Sequence, residues 1–282
     1  MKLMIRAHDL GVKGEDNIVK KLNELGLDGV QLVAYKSIDG VAYAVGGLDK
    51  ARAGEIGATI REAGKSVALV GAYFNPVHPN REKAERGEKI FGEYLSLASS
   101  LGAGFVGSET GSYMGDPWGF HPDNARPEAR KTVADSFRRL CDIGKEYGTC
   151  VAIEGAYNHV CQTPEALAEV IKDIGRDNVR VIFDLYNYLS FTNYESAYEI
   201  LDRAHRLFAS EILLYHIKDF VIKDGAISQC GVGRGVLDYR RIIGEIYRQN
   251  PDATLVFEGT VGEDIPYAIG HIKEIIKEIE QI

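Results

Sequence analysis

The chain has 282 residues, enough to bury a sizeable core and a better match to one barrel domain than to two small ones. Its apolar and charged fractions are those of an ordinary soluble globular protein, and a formal charge of −8 argues against a general binder of nucleic acid or anionic membrane, which needs a basic face. Four cysteines without paired metal spacing, no apolar signal region in MKLMIRAHDL and no window apolar enough to span a bilayer point to reduced thiols and a cytoplasmic location.

Short apolar runs alternate with helical patterns from end to end. Residues 2–8 form the first predicted strand. Glu15–Leu25 repeats apolar residues at helical spacing, and Gly26 can end that helix. Residues 29–35 read as strand two, 48–63 as helix two, 66–74 as strand three and 81–101 as a long helix closed by Gly102. Strand four is Phe105–Glu109. A glycine-, proline- and aromatic-rich loop over 110–126 follows, holding Trp118, Phe120 and His121, and then a helix over 128–147. Strand five is Cys150–Glu154. Thr163 is a good N-cap with Pro164 at the first helical position, for a helix running to about residue 174. Strand six is Val179–Asp184, followed by a helix over 194–208 and strand seven over 212–216. Asp224-Gly225, between runs at 221–223 and 226–228, signals a two-residue hairpin turn. Residues 231–235 form a glycine-rich connector, Asp238 caps a helix running to about residue 249, strand eight covers 253–258, and Asp264–Ile279 is the last helix.

Eight strand–helix units, with no linker or repeat to divide them, predict an α/β fold: a single (β/α)8 TIM barrel over residues 1–282. An open doubly wound sheet is the alternative. The absence of a GxGxxG after the first strand counts against a nucleotide-binding version of it.

Four of the apolar runs finish on a metal-binding side chain. VAIEG carries Glu154, VRVIFD ends at Asp184, ILLYH ends at His216 and TLVFEG carries Glu258. A carboxylate at the end of a buried strand is costly to bury alone and calls for a metal, a cation or a catalytic task. In a barrel, the C-terminal strand ends share one rim, so strands five to eight would bring the four side chains together. Three carboxylates and one imidazole make a hard, mostly oxygen donor set. It suits one divalent ion, with Mn2+ the first expectation and Mg2+, Co2+ or Zn2+ also fitting. Taken singly, each residue reads as a rim carboxylate or an ordinary histidine; the joint pattern is what points to a metal.

The strand-end order Glu, Asp, His, Glu resembles the xylose isomerase-like barrels of sugar isomerases and epimerases, a group that includes ketose 3-epimerases and hydroxypyruvate isomerase. The matching stretches are EGAYNH from Glu154 to His159, FDLYN from Phe183 to Asn187, HIKD from His216 to Asp219, GRGVLD from Gly233 to Asp238, and Phe257-Glu258-Gly259. The resemblance covers essentially the whole chain. It implies that Glu154, Asp184, His216 and Glu258 ligate the metal and that Glu154 and Glu258 form the acid/base pair. The metal would polarise a sugar carbonyl. One glutamate would then take a proton to give a cis-enediolate, and the other would return it. Two departures stand out. Asn187 occupies a position where many relatives carry histidine, and Ile222 one where ketose 3-epimerases carry arginine. The related apurinic endonucleases add histidines on strands two to four. This chain has Tyr35, Tyr73 and Glu109 near those ends, which speaks against DNA repair.

Substrate contacts are expected from His159, Asn187, Lys218, Arg234, His8 and Trp118. His159 lies in the loop after strand five, where it could contact substrate or orient a ligand, or be a surface loop histidine. Lys218 could reach a substrate oxygen or be a solvated loop charge. Arg234, in GVGRG, could meet a phosphate or carboxylate while the glycine amides approach the same anion. His8 would face the rim if strand one runs to it. Trp118 and Phe120 sit in a long loop where an aromatic could stack on a sugar, pack as a plug or contact a second subunit. Tyr73, Asn75 and Glu109 are further candidates for reading hydroxyls. The expected partner is a small sugar or sugar-derived molecule, with a homo-oligomer open and neither nucleic acid nor membrane involved. The expected activity is a metal-dependent sugar or polyol isomerase or epimerase. The alternatives are a lyase or dehydratase on the same metal, and a non-catalytic binding subunit with a relict site.

Overall fold

The structure is a computed structural model that describes residues 1–281. Eight parallel strands close into a barrel: β1 (Lys2–Arg6), β2 (Gly29–Leu32), β3 (Ser66–Gly71), β4 (Phe105–Glu109), β5 (Cys150–Glu154), β6 (Val179–Asp184), β7 (Ile212–Ile217) and β10 (Thr254–Phe257). They neighbour one another in chain order, and β10 pairs with β1 to close the ring. Helices on the outside return the chain between strands: α1 (Glu15–Leu25), α3 (Lys50–Glu62), α4 (Arg81–Leu97), α5 (Pro127–Glu146), α6 (Pro164–Ile174), α7 (Ala197–Phe208), α8 (Tyr239–Gln249) and α9 (Asp264–Ile279). A single helical turn, α2 (Ala34–Ser37), follows β2. This is the (β/α)8 barrel that the alternation predicts, and it excludes the open sheet.

Caps form where the residue types call for them. Thr163 accepts from the Ala166 amide and Asp238 from the Arg241 amide, each satisfying a helix donor that has no intrahelical partner. The hairpin is longer than its turn signal suggests, pairing β8 (Asp219–Lys223) with β9 (Ala226–Cys230). Asp224 and Gly225 both have positive φ, 51° and 74°, as a two-residue turn between twisted strands requires.

The first three strands stop earlier than their apolar runs. β1 ends at Arg6 because Ala7–Leu10 coils into a 3-10 turn that buries Ala7 and Leu10 beneath the rim. His8 therefore lies in a turn and not at a strand end. After β2 the chain enters α2, and after β3 it leaves the sheet two residues before Tyr73. Residues 98–101 leave the regular helix at the end of α4, although Gly102 takes the left-handed conformation expected of a stop.

The core has two parts. A large shell packs helices against the outside of the sheet, and a small inner layer of Met4, Leu69, Ala152, Ile182, Leu214 and Val256 fills the barrel. Side chains alternate along a strand, so the residue two places beyond an inner one points inward again, one layer up. The next inward positions on β5, β6 and β7 are Glu154, Asp184 and His216, and just past β10 it is Glu258.

Candidate metal centre

All four residues are buried, and one ligand atom from each lies within 4.8 Å of the others. The imidazole is the hub. His216 Nδ1 stands 2.8 Å from Glu258 Oε2, 3.2 Å from Glu154 Oε1 and 3.6 Å from Asp184 Oδ2. Its other nitrogen, Nε2, is 2.6 Å from Gln31 Oε1, and Gln31 Nε2 donates to the Tyr73 hydroxyl at 2.7 Å. Gln31 is fully buried and accepts from Nε2, so Nδ1 is the nitrogen left facing the carboxylates.

Cations brace the acids. Lys218 Nζ lies 2.8 Å from Asp184 Oδ2 and 2.7 Å from Glu258 Oε1 and donates to Asn187 Oδ1. Arg6 bonds Glu258 Oε1 at 2.7 Å and also Asp9, which in turn accepts from the Gly259 amide. Asn187 Nδ2 donates to Glu154 Oε1 at 2.7 Å. Burial works against charge on Glu258, but Lys218, His216 and Arg6 together hold its pKa well below the usual carboxylate range. Burial raises the pKa of Glu154, with His216 opposing. Burial also disfavours charge on His216, yet Glu258 and Glu154 outweigh it and raise the imidazole pKa well above normal.

The donor set fits a divalent ion. Asp184 Oδ2 and Glu258 Oε2 are buried oxygens whose near neighbours are the charged or ionisable groups Lys218 Nζ and His216 Nδ1, respectively, each at 2.8 Å, and both lie beside the point on which the other donors converge. Glu154, Asp184, Glu258 and Asp9 bring four carboxylates against the two cations Arg6 and Lys218. With His216 neutral, as a metal ligand must be, formal charge leaves two negatives, which one divalent ion would balance.

A cavity of about 290 Å3 opens beside this cluster, lined by Glu109, Trp118, His159, Asn187, Lys218 and Ile227 among others. His159 is buried there, with Nδ1 3.1 Å from Glu109 Oε2 and its ring edge-on to Trp118 at 5.6 Å. Burial pushes the Glu109 carboxyl up to about 8, with Glu154 adding to the rise, and pulls His159 down to about 4. Of the expected substrate contacts, the cavity thus gathers His159, Asn187, Lys218 and Trp118.

The structure does not bring the other two there. Arg234 lies at the surface, stacked 3.5 Å from the Tyr267 ring centroid and bonded to Asp264. The amides of its glycine loop do bind an anion, but the anion is Asp219 of the same chain. Gly233 and Gly235 donate to Asp219 Oδ2, and Leu237 and Phe220 to Oδ1. A Cβ on Gly235 would stand 2.2 Å from Asp219 Oδ1, so the fit needs glycine. His8 sits in the 3-10 turn beside Arg6, and burial and that neighbour lower its pKa to about 4. Asn75 is likewise occupied: it clamps Ser112 and Val77 and holds the long loop that carries Trp118.

Sequence reading passed over Arg6 and Gln31. Both obey a rule that was available: each is a polar residue at an inward position of an apolar strand, and Arg6 lies two places past Met4 of the inner layer.

A family model described as a xylose isomerase-like TIM barrel matches residues 19–278. The inosose isomerase of Bacillus velezensis is 31% identical over 97 residues, covering 33% of this chain and 32% of that protein, so the match spans about a third of the curated relative's length. Among solved structures, a D-tagatose 3-epimerase-like protein superposes with a TM-score of 0.78 at 16% identity, covering 100% of this chain and 99% of that one. A xylose isomerase-like barrel protein from Mycobacterium smegmatis, in complex with magnesium, gives 0.72 at 17% identity over 99% of this chain and 97% of its own. At these identities the superpositions speak for the fold.

Proposed function

The chain belongs to the xylose isomerase-like TIM barrel family, and on that premise we propose that it is a divalent-metal-dependent isomerase or epimerase of a sugar or polyol. The convergence of three carboxylates on His216 Nδ1 carries this reading. Glu154, Asp184, His216 and Glu258 would hold the ion, with Mn2+ the first candidate and Mg2+, Co2+ and Zn2+ the others. When bound, such an ion supplies Lewis acidity to a carbonyl and its neighbouring hydroxyl and acidifies the C–H between them.

The chain's own groups do the rest. Glu154 and Glu258 stand on opposite sides of the cluster, with β6 and β7 between their strands. A substrate lying between them meets a carboxylate on each side. One takes the proton and the other returns it, to the same carbon for epimerisation or to the neighbouring carbon for isomerisation. Asn187 holds Glu154 Oε1 in place, and Lys218 fixes Asp184 and Glu258 while keeping an ammonium at the cavity wall. Glu109, its pKa raised to about 8, keeps a proton near neutrality and can donate it in a hydrogen bond to a substrate hydroxyl. Trp118 forms part of the cavity wall, with Lys218 and Asn187 among the other lining residues. A cytoplasmic site of action accords with this chemistry and remains part of the proposal.

Two measurements test it. Metal content after growth in manganese-supplemented medium should be about one equivalent in the wild type and near background in Asp184→Ala. The loaded protein, incubated with a panel of ketoses in D2O, should place solvent deuterium on carbon. Release of water or an aglycone in place of deuterium exchange would assign a lyase. A wild-type protein that holds no metal would leave a non-catalytic binding barrel.

A further inference from the structure

Past Trp118 lies a second cavity of about 290 Å3, walled by Tyr43, Tyr73, Phe74, Trp118 and, from α4, Lys83 and Arg86. It adjoins the first cavity through one shared residue. Trp118 lines both cavities, and the Tyr73 hydroxyl bonds Gln31, which sits directly behind His216. A molecule held at the four candidate ligands and reaching past Trp118 would enter this space.

The charge of the second cavity is opposite to that of the protein. Lys83 Nζ lies 2.7 Å from Asp116 Oδ2, and His78 Nε2 lies 3.2 Å from the same oxygen. His78 Nδ1 accepts from the Asn80 amide. Arg86 bonds only the Tyr43 carbonyl, at 3.2 Å, and has no carboxylate within bridging distance among the described residues. Two cations thus face one carboxylate, on a chain whose formal charge is −8. The N-terminal turn of α4 adds partial charge of the same positive sign. The rings of Tyr43 and Trp118 supply flat apolar faces of the kind that pack on the C–H face of a sugar.

We propose that the substrate is a sugar derivative carrying an anionic group, a phosphate or a carboxylate, at the end remote from the reacting carbons. Arg86 and Lys83 bind that group in the cavity beyond Trp118. The inference rests on the isomerase reading and names the substrate class for that site.

Trp118 is the only tryptophan in the chain, so its fluorescence reports on both cavities without labelling. The Mg2+-loaded protein is titrated with D-fructose, D-fructose 6-phosphate and D-fructuronate. At least one anionic sugar should saturate the signal at a concentration about tenfold or more below that for D-fructose. The Lys83→Gln/Arg86→Gln variant should bring that sugar up to the concentration needed for D-fructose. Both residues are exposed, and the variant's melting curve shows whether the fold is kept. Which anionic sugar is preferred distinguishes phosphate from carboxylate. Equal affinity for charged and uncharged sugars, or a preference that survives in the variant, overturns the subsite. If no sugar binds a protein that holds its metal, the isomerase reading falls first, and inorganic phosphate at constant ionic strength decides the subsite. A Trp118 shift that is lost in the variant retains it, and no shift removes it.

Discussion

β5, β6, β7 and the end of β10 contribute the four candidate ligands, whereas β1, β2 and β4 contribute Arg6, Gln31 and Glu109, which touch that cluster or the cavity from the side, and the turn after β3 contributes Tyr73, which bonds Gln31. The two half-rims differ in the kind of constraint they bear. In the ligand half, each residue must supply an oxygen or nitrogen lone pair to one point, so few side chains can serve. In the supporting half, the residues set a tautomer, balance charge or shape a wall, and several side chains can do each. The difference separates what the fold needs to hold an ion from what it can vary to choose a substrate, and that division can be broken at measurable places.

The largest effect is expected in the ligand half. Asp184→Ala removes a proposed ligand and leaves Glu258 as the one carboxylate bonded to Lys218, so bound metal should fall to background in elemental analysis and deuterium exchange should vanish with it. Next in size is a loss of stability behind the same half. Asp219→Ala strands four backbone amides that now share one carboxylate, costing about 3 kcal/mol or more in urea unfolding, while Asp219→Asn should cost less. The supporting half should respond more gently. Gln31→Leu leaves every ligand in place but frees the His216 ring, and metal affinity should drop about 10- to 100-fold by competition with a chelating dye. Gln31→Glu, which keeps the acceptor, should recover most of it. An unchanged affinity in Gln31→Leu would erase the distinction drawn between the halves.

The smallest effect concerns pH. His205, on α7, is buried against β7 and hydrogen-bonded to the Tyr215 hydroxyl at 3.0 Å, and burial lowers its pKa. The unfolded chain therefore binds the proton more readily than the folded one. Stability from this group is present above its unfolded pKa of about 6.5 and is lost as pH falls through that value toward the lowered one. His205→Gln, which can still bond Tyr215, should flatten the loss of stability between neutral and mildly acidic pH in urea unfolding. An identical slope in wild type and variant would locate the acid sensitivity elsewhere.

The same division explains what was legible in the sequence. A carboxylate or histidine closing an apolar run is conspicuous, so the candidate donor set could be read from four strand ends and the barrel from eight strand–helix units. In β1 and β2 the apolar pattern continues past the strand into turns that are themselves buried, as Ala7, Leu10 and Ala34 are, and a pattern of burial cannot say which backbone carries it. Gln31 reads as one polar residue among many until the fold places His216 against it from 185 residues away. The glycine loop at 231–235 did signal an anion held by amides. That the anion is Asp219, already in the chain, is a matter of tertiary proximity that spacing does not encode. Lys218 presents the same limit: a lysine after a strand looks solvated, and only the neighbouring carboxylates keep it inside.

The inner layer has an evolutionary consequence. Ala152, Ile182, Leu214 and Val256 each lie two residues below a candidate ligand and offer no donor atom from their own side chains. Trimming or enlarging one of them tilts the strand end above it by a fraction of an ångström, which is the scale on which ions of different radius are told apart. Preference for one metal over another can therefore drift through apolar exchanges beneath the site, with every ligand retained and nothing in the donor set to record the change.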